Sequence, residues 1–211
     1  MDSGRRWKLI GVVSMYDYFF KRIVDVIISL IALVLLSPIF FVLFFLIKLD
    51  TTGPFIFSQV RIGRHRKEFI IYKLRTMDSA ACVQSNDKTQ TYVTTFENDP
   101  RITTIGLILR RFHIDELPQL INVLRGEMSL VGVRPDAPSQ STEYKNYVWV
   151  NRHLMRPGIT GLSQVHANDL DFDFSLRNKY DLFYTKSKRK FKLDIYIIFR
   201  TVLKFFRGTS F

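Results

Sequence analysis

The sequence predicts a mainly helical α+β fold, with an N-terminal membrane helix interrupted at Ser37-Pro38, a basic β-hairpin, and amphipathic helices packed at a membrane interface. Three observations carry this expectation. Val26 to Ile47 is an apolar run of 22 residues interrupted only by Ser29, Ser37 and Pro38, about 33 Å long as a helix and so long enough to cross a bilayer core. Two runs of strand composition follow the turn chemistry of Thr51-Thr52-Gly53-Pro54. Beyond them, apolar positions recur at helical spacing among many Lys and Arg residues.

With 211 residues, 47% of them hydrophobic, the chain suits one medium domain and an anchor, divided as residues 1–50 and 51–211. A net charge of +12 calls for a negatively charged partner, such as nucleic acid, anionic lipid or a phosphorylated substrate. The long apolar segment and the lack of a nucleic-acid recognition motif argue against the first. Cys82 is the single cysteine, which excludes an intrachain disulfide and a cysteine metal cluster and suits a reducing, cytoplasm-facing domain. It lies in a polar stretch without a recognisable partner. There is no P-loop, no GxGxxG, no GxSxG and no zinc spacing.

In chain order, Trp7 to Phe20 mixes aromatic and basic residues as membrane-surface segments do. The following apolar run is too long for a cleaved signal peptide and lacks an Ala-x-Ala site. Five basic residues precede it (Arg5, Arg6, Lys8, Lys21, Arg22) and five follow (Lys48, Arg61, Arg64, Arg66, Lys67), so the positive-inside rule gives a simple span no orientation. Pro38 removes a backbone donor and Ser37 can satisfy a freed carbonyl. A kinked spanning helix and a re-entrant helix leaving on its entry face both fit these residues. Asp25, at the edge of the run, suits an interfacial pair with Lys21 or Arg22.

Phe55 to Arg61 and Glu68 to Thr76 read as paired strands whose basic residues, with Gln59, would lie near lipid or substrate phosphate. Asp78 to Asn98 is polar and reads as a loop or weak helix. A helix is expected from Asp99-Pro100-Arg101 to Phe112, burying Ile102, Ile105, Ile108 and Leu109. Ser139 to His153 is expected to be helical, Arg156 to Gly161 an ordered loop, and Phe174 to Ser187 an amphipathic helix. Phe191 to Phe206 suits either a helix lying on a membrane or a core helix with a basic outer face.

The chain is organised around Arg110-Arg111-Phe112-His113-Ile114-Asp115-Glu116-Leu117-Pro118-Gln119-Leu120 and its continuation to Gly132-Val133-Arg134-Pro135. Asp115 is expected to cap a helix from Glu116 to about Leu124, placing acid at the positive helix end. The same end, with Arg110, Arg111 and Arg134, suits a diphosphate. Ordinary first-turn acids with surface arginine pairs fit the spacing equally.

Asp115-Glu116-Leu117-Pro118-Gln119-Leu120, Asn122-Val123, Gly126, Met128 to Gly132 and Arg134-Pro135 resemble the bacterial sugar transferase family, the monotopic phosphoglycosyl transferases. Lys21-Arg22, Asp25, Ser37-Pro38, Tyr72-Lys73, Arg75-Thr76-Met77, Asp99 to Thr103 and Arg156 to Gly161 extend the likeness over about Phe20 to Arg207. The resemblance implies the minimal form of the family, with a re-entrant membrane helix broken at Ser37-Pro38. It implies transfer of a sugar 1-phosphate from a UDP-sugar to undecaprenyl phosphate at the cytoplasmic face of the bacterial inner membrane, releasing UMP.

By that resemblance Asp115 is the nucleophile that forms an aspartyl phosphosugar, and Glu116 binds Mg²⁺. Arg110 and Arg134 hold phosphate oxygens, and Lys73, Arg75, Pro135 and Arg156 are further substrate-binding candidates. Inner-membrane lipids are expected partners, nucleic acid is not, and a homodimer is possible. Val133, Leu162-Ser163, His166-Ala167 and His113-Ile114 depart from the family pattern, which leaves the sugar open. A catalytically silent membrane scaffold of the same fold is the alternative.

Overall fold

The computed structural model describes residues 19–78, 99–167, 173–188 and 190–207. Most of the Trp7 to Phe20 segment, nearly all of the Asp78 to Asn98 stretch, and Cys82 lie outside the described residues.

Helix α1 (Lys21–Asp50) is 30 residues long and carries Pro38 in its interior. Proline has no amide for the Val34 carbonyl one turn back, and Ser37 Oγ donates to that carbonyl at 2.8 Å instead. The helix therefore runs through Ser37-Pro38 without the expected interruption. An 18-residue window of it has a mean hydropathy of 3.1 with 11% of its residues buried, so it is apolar and long enough to cross a membrane.

Both ends of α1 are fastened to the rest of the protein. At the start, Lys21 pairs with Asp194 at 2.5 Å, and Arg22 donates to the Val123 carbonyl and, at 2.8 Å, to that of Leu124. Asp25 is buried, accepts the Leu130 amide at 3.1 Å and lies close enough to Lys21 to feel its charge, so that pairing is made inside the protein. At the far end Leu43 and Ile47 pack with Leu74 and Leu109, and Asp50 accepts the Ile105 amide at 3.2 Å. Between these ends Leu30, Ile31, Val34, Leu35, Phe41 and Val42 are all more than half exposed.

Strands β1 (Ile56–Ile62) and β2 (Glu68–Leu74) pair antiparallel from Ile56 opposite Leu74 to Ile62 opposite Glu68. Their connection turns at His65 and Arg66, both with positive φ, closed by Gly63 N donating to Lys67 O at 2.8 Å. Helix α2 (Thr104–Arg111) begins later than expected because Thr103 caps it, its hydroxyl accepting from the Gly106 amide at 2.9 Å. Its buried side runs through Ile105 and Leu109, whereas Ile108, expected inside, is exposed.

After the tight turn at Ile114–Glu116 come α3 (Gln119–Arg125), closed by left-handed Gly126, and β3 (Ser129–Val131). The expected Ser139 to His153 helix is instead a 3₁₀ stretch, Pro138–Glu143, and a separate α4 (Asn146–Arg152), with extended backbone at Tyr144 and Lys145 between them. The proline and glycines of Arg156 to Gly161 imply an ordered loop. It contains β4 (Gly158–Thr160), parallel to β3 with Ser129 opposite Gly158.

The glycines are what allow that approach. A Cβ on Gly158 would lie 2.0 Å from the Gly132 amide nitrogen and 2.4 Å from the Thr160 carbonyl oxygen. Gly158→Ala is expected to cost about 1–3 kcal/mol, as overpacking does, and to lower the melting temperature in detergent. An unchanged melting temperature would refute the tight β3–β4 contact.

Short α5 (Leu162–Val165), α6 (Phe174–Lys186) and α7 (Lys190–Arg207) complete the order. Asp173 caps α6 through the Leu176 amide at 2.6 Å. Helix α7 is turned inside out: Lys190, Asp194, Ile197 and Lys204 are buried, while Phe191, Ile195, Phe199 and Val202 are exposed. Tyr184 OH donates to Asp194 at 2.7 Å, Thr201 and Thr160 share a 2.8 Å hydroxyl contact, and Lys204 donates to the Gln164 carbonyl at 3.1 Å. Polar groups satisfied inward and apolar groups left outward exclude a core helix with a basic outer face.

Candidate active site

The central acids do not sit on a helix cap. His113 adopts a left-handed conformation, φ 51°, and the chain then makes the 3₁₀ turn Ile114–Glu116, with Glu116 N donating to His113 O at 3.2 Å. Pro118 serves as the N-cap of α3, which starts only at Gln119, so the expected helix from Glu116 with an Asp115 cap is replaced by a tight turn and a shorter helix. In a 3₁₀ turn neighbouring side chains diverge by about 120°. Ile114 anchors the turn by packing against the cluster of Leu43, Ile47, Leu74 and Leu109. The far half of α1 and the two carboxylates therefore share one support.

Three elements bring cations to these acids. Lys73, on β2, places Nζ 2.6 Å from Glu116 Oε1. Arg134, in the segment after β3, reaches the same oxygen at 3.4 Å. Arg110, at the end of α2, donates from Nε to Thr76 Oγ1 at 2.8 Å and lies close enough to act on the Asp115 charge.

The two carboxyls are pushed apart. Burial raises Asp115, Lys73 opposes it, and Glu116 pushes the same way as burial, leaving the group at about 6 despite Arg110 and Arg134. Burial would raise Glu116 too, but Lys73 and Arg134 together, with further help from His113, outweigh it and hold the group at about 2. Glu116 is therefore a committed anion. Asp115 is a buried carboxyl that receives no hydrogen bond among the described residues, and a carboxylate stripped of donors is the more reactive one.

Beside them opens a cleft of about 260 Å³ lined by Arg61, Ile71, Lys73, Glu116, Gln119, Arg134, Pro135, Gly158 and Ile159. Glu116, Lys73, Arg134 and Pro135 among the sequence candidates meet there. Four candidates do not line it: Asp115 and Arg110, which stand next to the lining residues through Glu116 and the Asp115 charge, and Arg75 and Arg156, which are engaged elsewhere. Arg75 is 3% exposed and its guanidinium donates to the carbonyls of Ile47, Thr51 and Thr52, so it closes the end of α1 instead of facing the cleft. Arg156 donates from Nε to Gly126 O at 2.8 Å and lines a different cavity, with Lys21, Asp25 and Arg64.

Arg61 and Gln119 were not singled out as cleft residues. Arg61 alternates with Gln59 along a basic strand and reads equally as a contact to lipid or to substrate phosphate, and its pairing opposite Phe69, on the strand that carries Lys73, locates it. Gln119 had a readable signal, since it follows Glu116 by three residues and so shares its side of a helical turn.

A family model described as bacterial sugar transferase matches residues 16–208. The chain is 39% identical over 214 aligned residues to UDP-glucose:undecaprenyl-phosphate glucose-1-phosphate transferase of Klebsiella pneumoniae, covering 95% of this chain and 44% of that protein. It is 36% identical to UDP-N-acetylgalactosamine-undecaprenyl-phosphate N-acetylgalactosaminephosphotransferase of Aeromonas hydrophila, covering 90% of this chain and 44% of that protein. To exopolysaccharide production protein PSS of Rhizobium leguminosarum bv. phaseoli it is 40% identical, covering 92% of this chain and 100% of that protein. The chain thus spans less than half the length of the first two relatives and all of the third. With the model matched along nearly its whole length, the chain belongs to the bacterial sugar transferase family.

Proposed function

We propose that the protein transfers a sugar 1-phosphate from a UDP-sugar to undecaprenyl phosphate, using Asp115 as the nucleophile. The observation that carries this reading is the arrangement of Asp115 beside Glu116 under three cations from three different elements. An Asp115 oxygen attacks the phosphorus bonded to the sugar, the bond from that phosphorus to the bridging oxygen breaks, and UMP leaves with the electron pair. A phosphate oxygen of the lipid then attacks the same phosphorus and Asp115 departs as carboxylate. Lys73, Arg134 and Arg110 hold and neutralise the phosphate oxygens during both displacements, the work on which phosphoryl transfer chiefly depends.

The residues fit Mg²⁺ of the kind that is held by one or two carboxylates and substrate phosphates. No group of three acidic, His or Cys ligands occurs among the described residues, but Glu116 is ionised and both of its cation contacts fall on Oε1. Glu116 would hold the ion, which when bound neutralises charge on the diphosphate.

The membrane reading rests on the same domain receiving both ends of α1. With basic flanks on each side and an exposed apolar middle, α1 enters and leaves the bilayer from the cytoplasmic face of the inner membrane. The outward apolar side of α7 lies along that surface. A water-soluble nucleotide and a lipid phosphate then reach one site without either crossing the membrane.

The test is UMP release from a panel of UDP-sugars with Mg²⁺ and undecaprenyl phosphate in nanodiscs. One donor is expected to be turned over, and Glu116→Gln to lower its rate by about 10²-fold or more. A folded wild type inert towards every donor would replace this reading with a membrane-bound scaffold.

A further inference from the structure

Gln119 is a polar side chain that the mechanism above does not use. It is 2% exposed and lines the cleft that also holds Glu116, Lys73 and Arg134. Its carboxamide makes no hydrogen bond among the described residues. This is unusual beside its neighbour Asn122, fully buried, whose amide accepts from Tyr72 N at 3.2 Å and donates to Ile70 O and Glu127 Oε2 at 2.7 Å each. The carboxamide of Gln119 is thus at the cleft with its donor and acceptor not taken up by the described residues, available to a ligand.

We infer that Gln119 hydrogen-bonds the sugar of the donor. This rests on the reading of Asp115 as the nucleophile. The cations of the cleft answer the diphosphate, whereas a carboxamide is neutral and offers a donor and an acceptor together, the complement of a sugar hydroxyl or acetamido group. Position argues for the sugar over the uracil. Gln119 follows Glu116 by three residues and lines the same cleft, and Asp115 attacks the phosphorus that carries the sugar. The base lies beyond a second phosphate and a ribose. Ile71 and Ile159 on the same walls give the ring apolar surface to rest on.

The inference is tested by equilibrium binding to the Asp115→Asn protein in nanodiscs, where the donor is not consumed, using the UDP-sugar turned over by wild type, its deoxysugar analogues, and UDP alone. Adding Gln119→Met, close in length and volume, is expected to weaken the UDP-sugar by about tenfold. Binding of UDP is expected to stay unchanged, which also reports an intact fold. The penalty should vanish for the analogue lacking the hydroxyl or acetamido group that Gln119 reads. Gln119→Asn, which keeps the amide on a shorter stem, is expected to lose affinity for the same ligand and not for UDP. Equal losses for UDP-sugar and UDP, or no loss for either, would overturn the assignment. Full turnover by Asp115→Asn alone would instead overturn the nucleophile, and leave the binding comparison standing.

Discussion

Asp115→Asn is expected to lower UMP release by about 10⁴-fold or more, the scale on which enzymes lose rate with their nucleophile, while leaving the melting temperature unchanged or higher. The two halves of this expectation have one cause. Asp115 is a buried carboxyl, no group among the described residues donates to it, and Glu116 stands next to it as an anion. Such a group is costly to the folded state, and a neutral amide of the same shape relieves part of that cost. A carboxylate kept for stability would behave in the opposite way. A second readout isolates the covalent step: with donor labelled in the sugar-linked phosphate and no lipid acceptor, wild type should retain label on the protein and Asp115→Asn should retain none. Equal labelling of the two would remove Asp115 from the chemistry.

The fold was legible where one residue type answers one local demand. Pro38 and Ser37 announced the exchange of a backbone donor for a hydroxyl, and Ser37 Oγ does reach the Val34 carbonyl. The strand boundaries came within a residue or two because the turn residues around them admit few conformations. Failures came where a tertiary contact overrode local preference. Gly158 reads as a loop residue until Gly132 lies against it. Asp115 reads as a cap until His113 turns left-handed and moves the start of the helix to Gln119. In the site, Lys73 and Arg134 could be named through resemblance, but one arginine looks like another in a basic chain. Only the carbonyls of α1's end separate Arg75, a structural residue, from Arg134 at the cleft.

Arg152→Met is expected to destabilise the protein by about 3–5 kcal/mol, as breaking a buried ion pair does, a fall of about 6–20 °C in melting temperature for a domain of this size. The Arg152 side chain is fully buried between Asp136 and Asp181, both also buried. Its Nη2 lies 3.0 Å from each Asp136 oxygen and its Nη1 contacts Asp181. Asp136 keeps Arg177 at 3.0 Å and the Tyr144 hydroxyl at 2.8 Å when Arg152 is removed, but among the described residues Asp181 keeps only a 3.9 Å approach from Arg177 Nε. Adding Asp181→Asn should therefore recover part of the loss, and failure to recover any would mean that packing, not uncompensated charge, sets the cost. The substitution should also reach the cleft. Asp136 follows Arg134 by two residues, its carbonyl accepts the Ile62 amide at 2.9 Å, and Arg152 donates to the Arg134 carbonyl at 3.4 Å. Arg134 is thus aimed at Glu116 by a backbone that this arginine holds, so kcat/KM should fall even at temperatures where Arg152→Met remains folded. A destabilised variant with unaltered kcat/KM would show that the buried charges hold the fold without positioning the site.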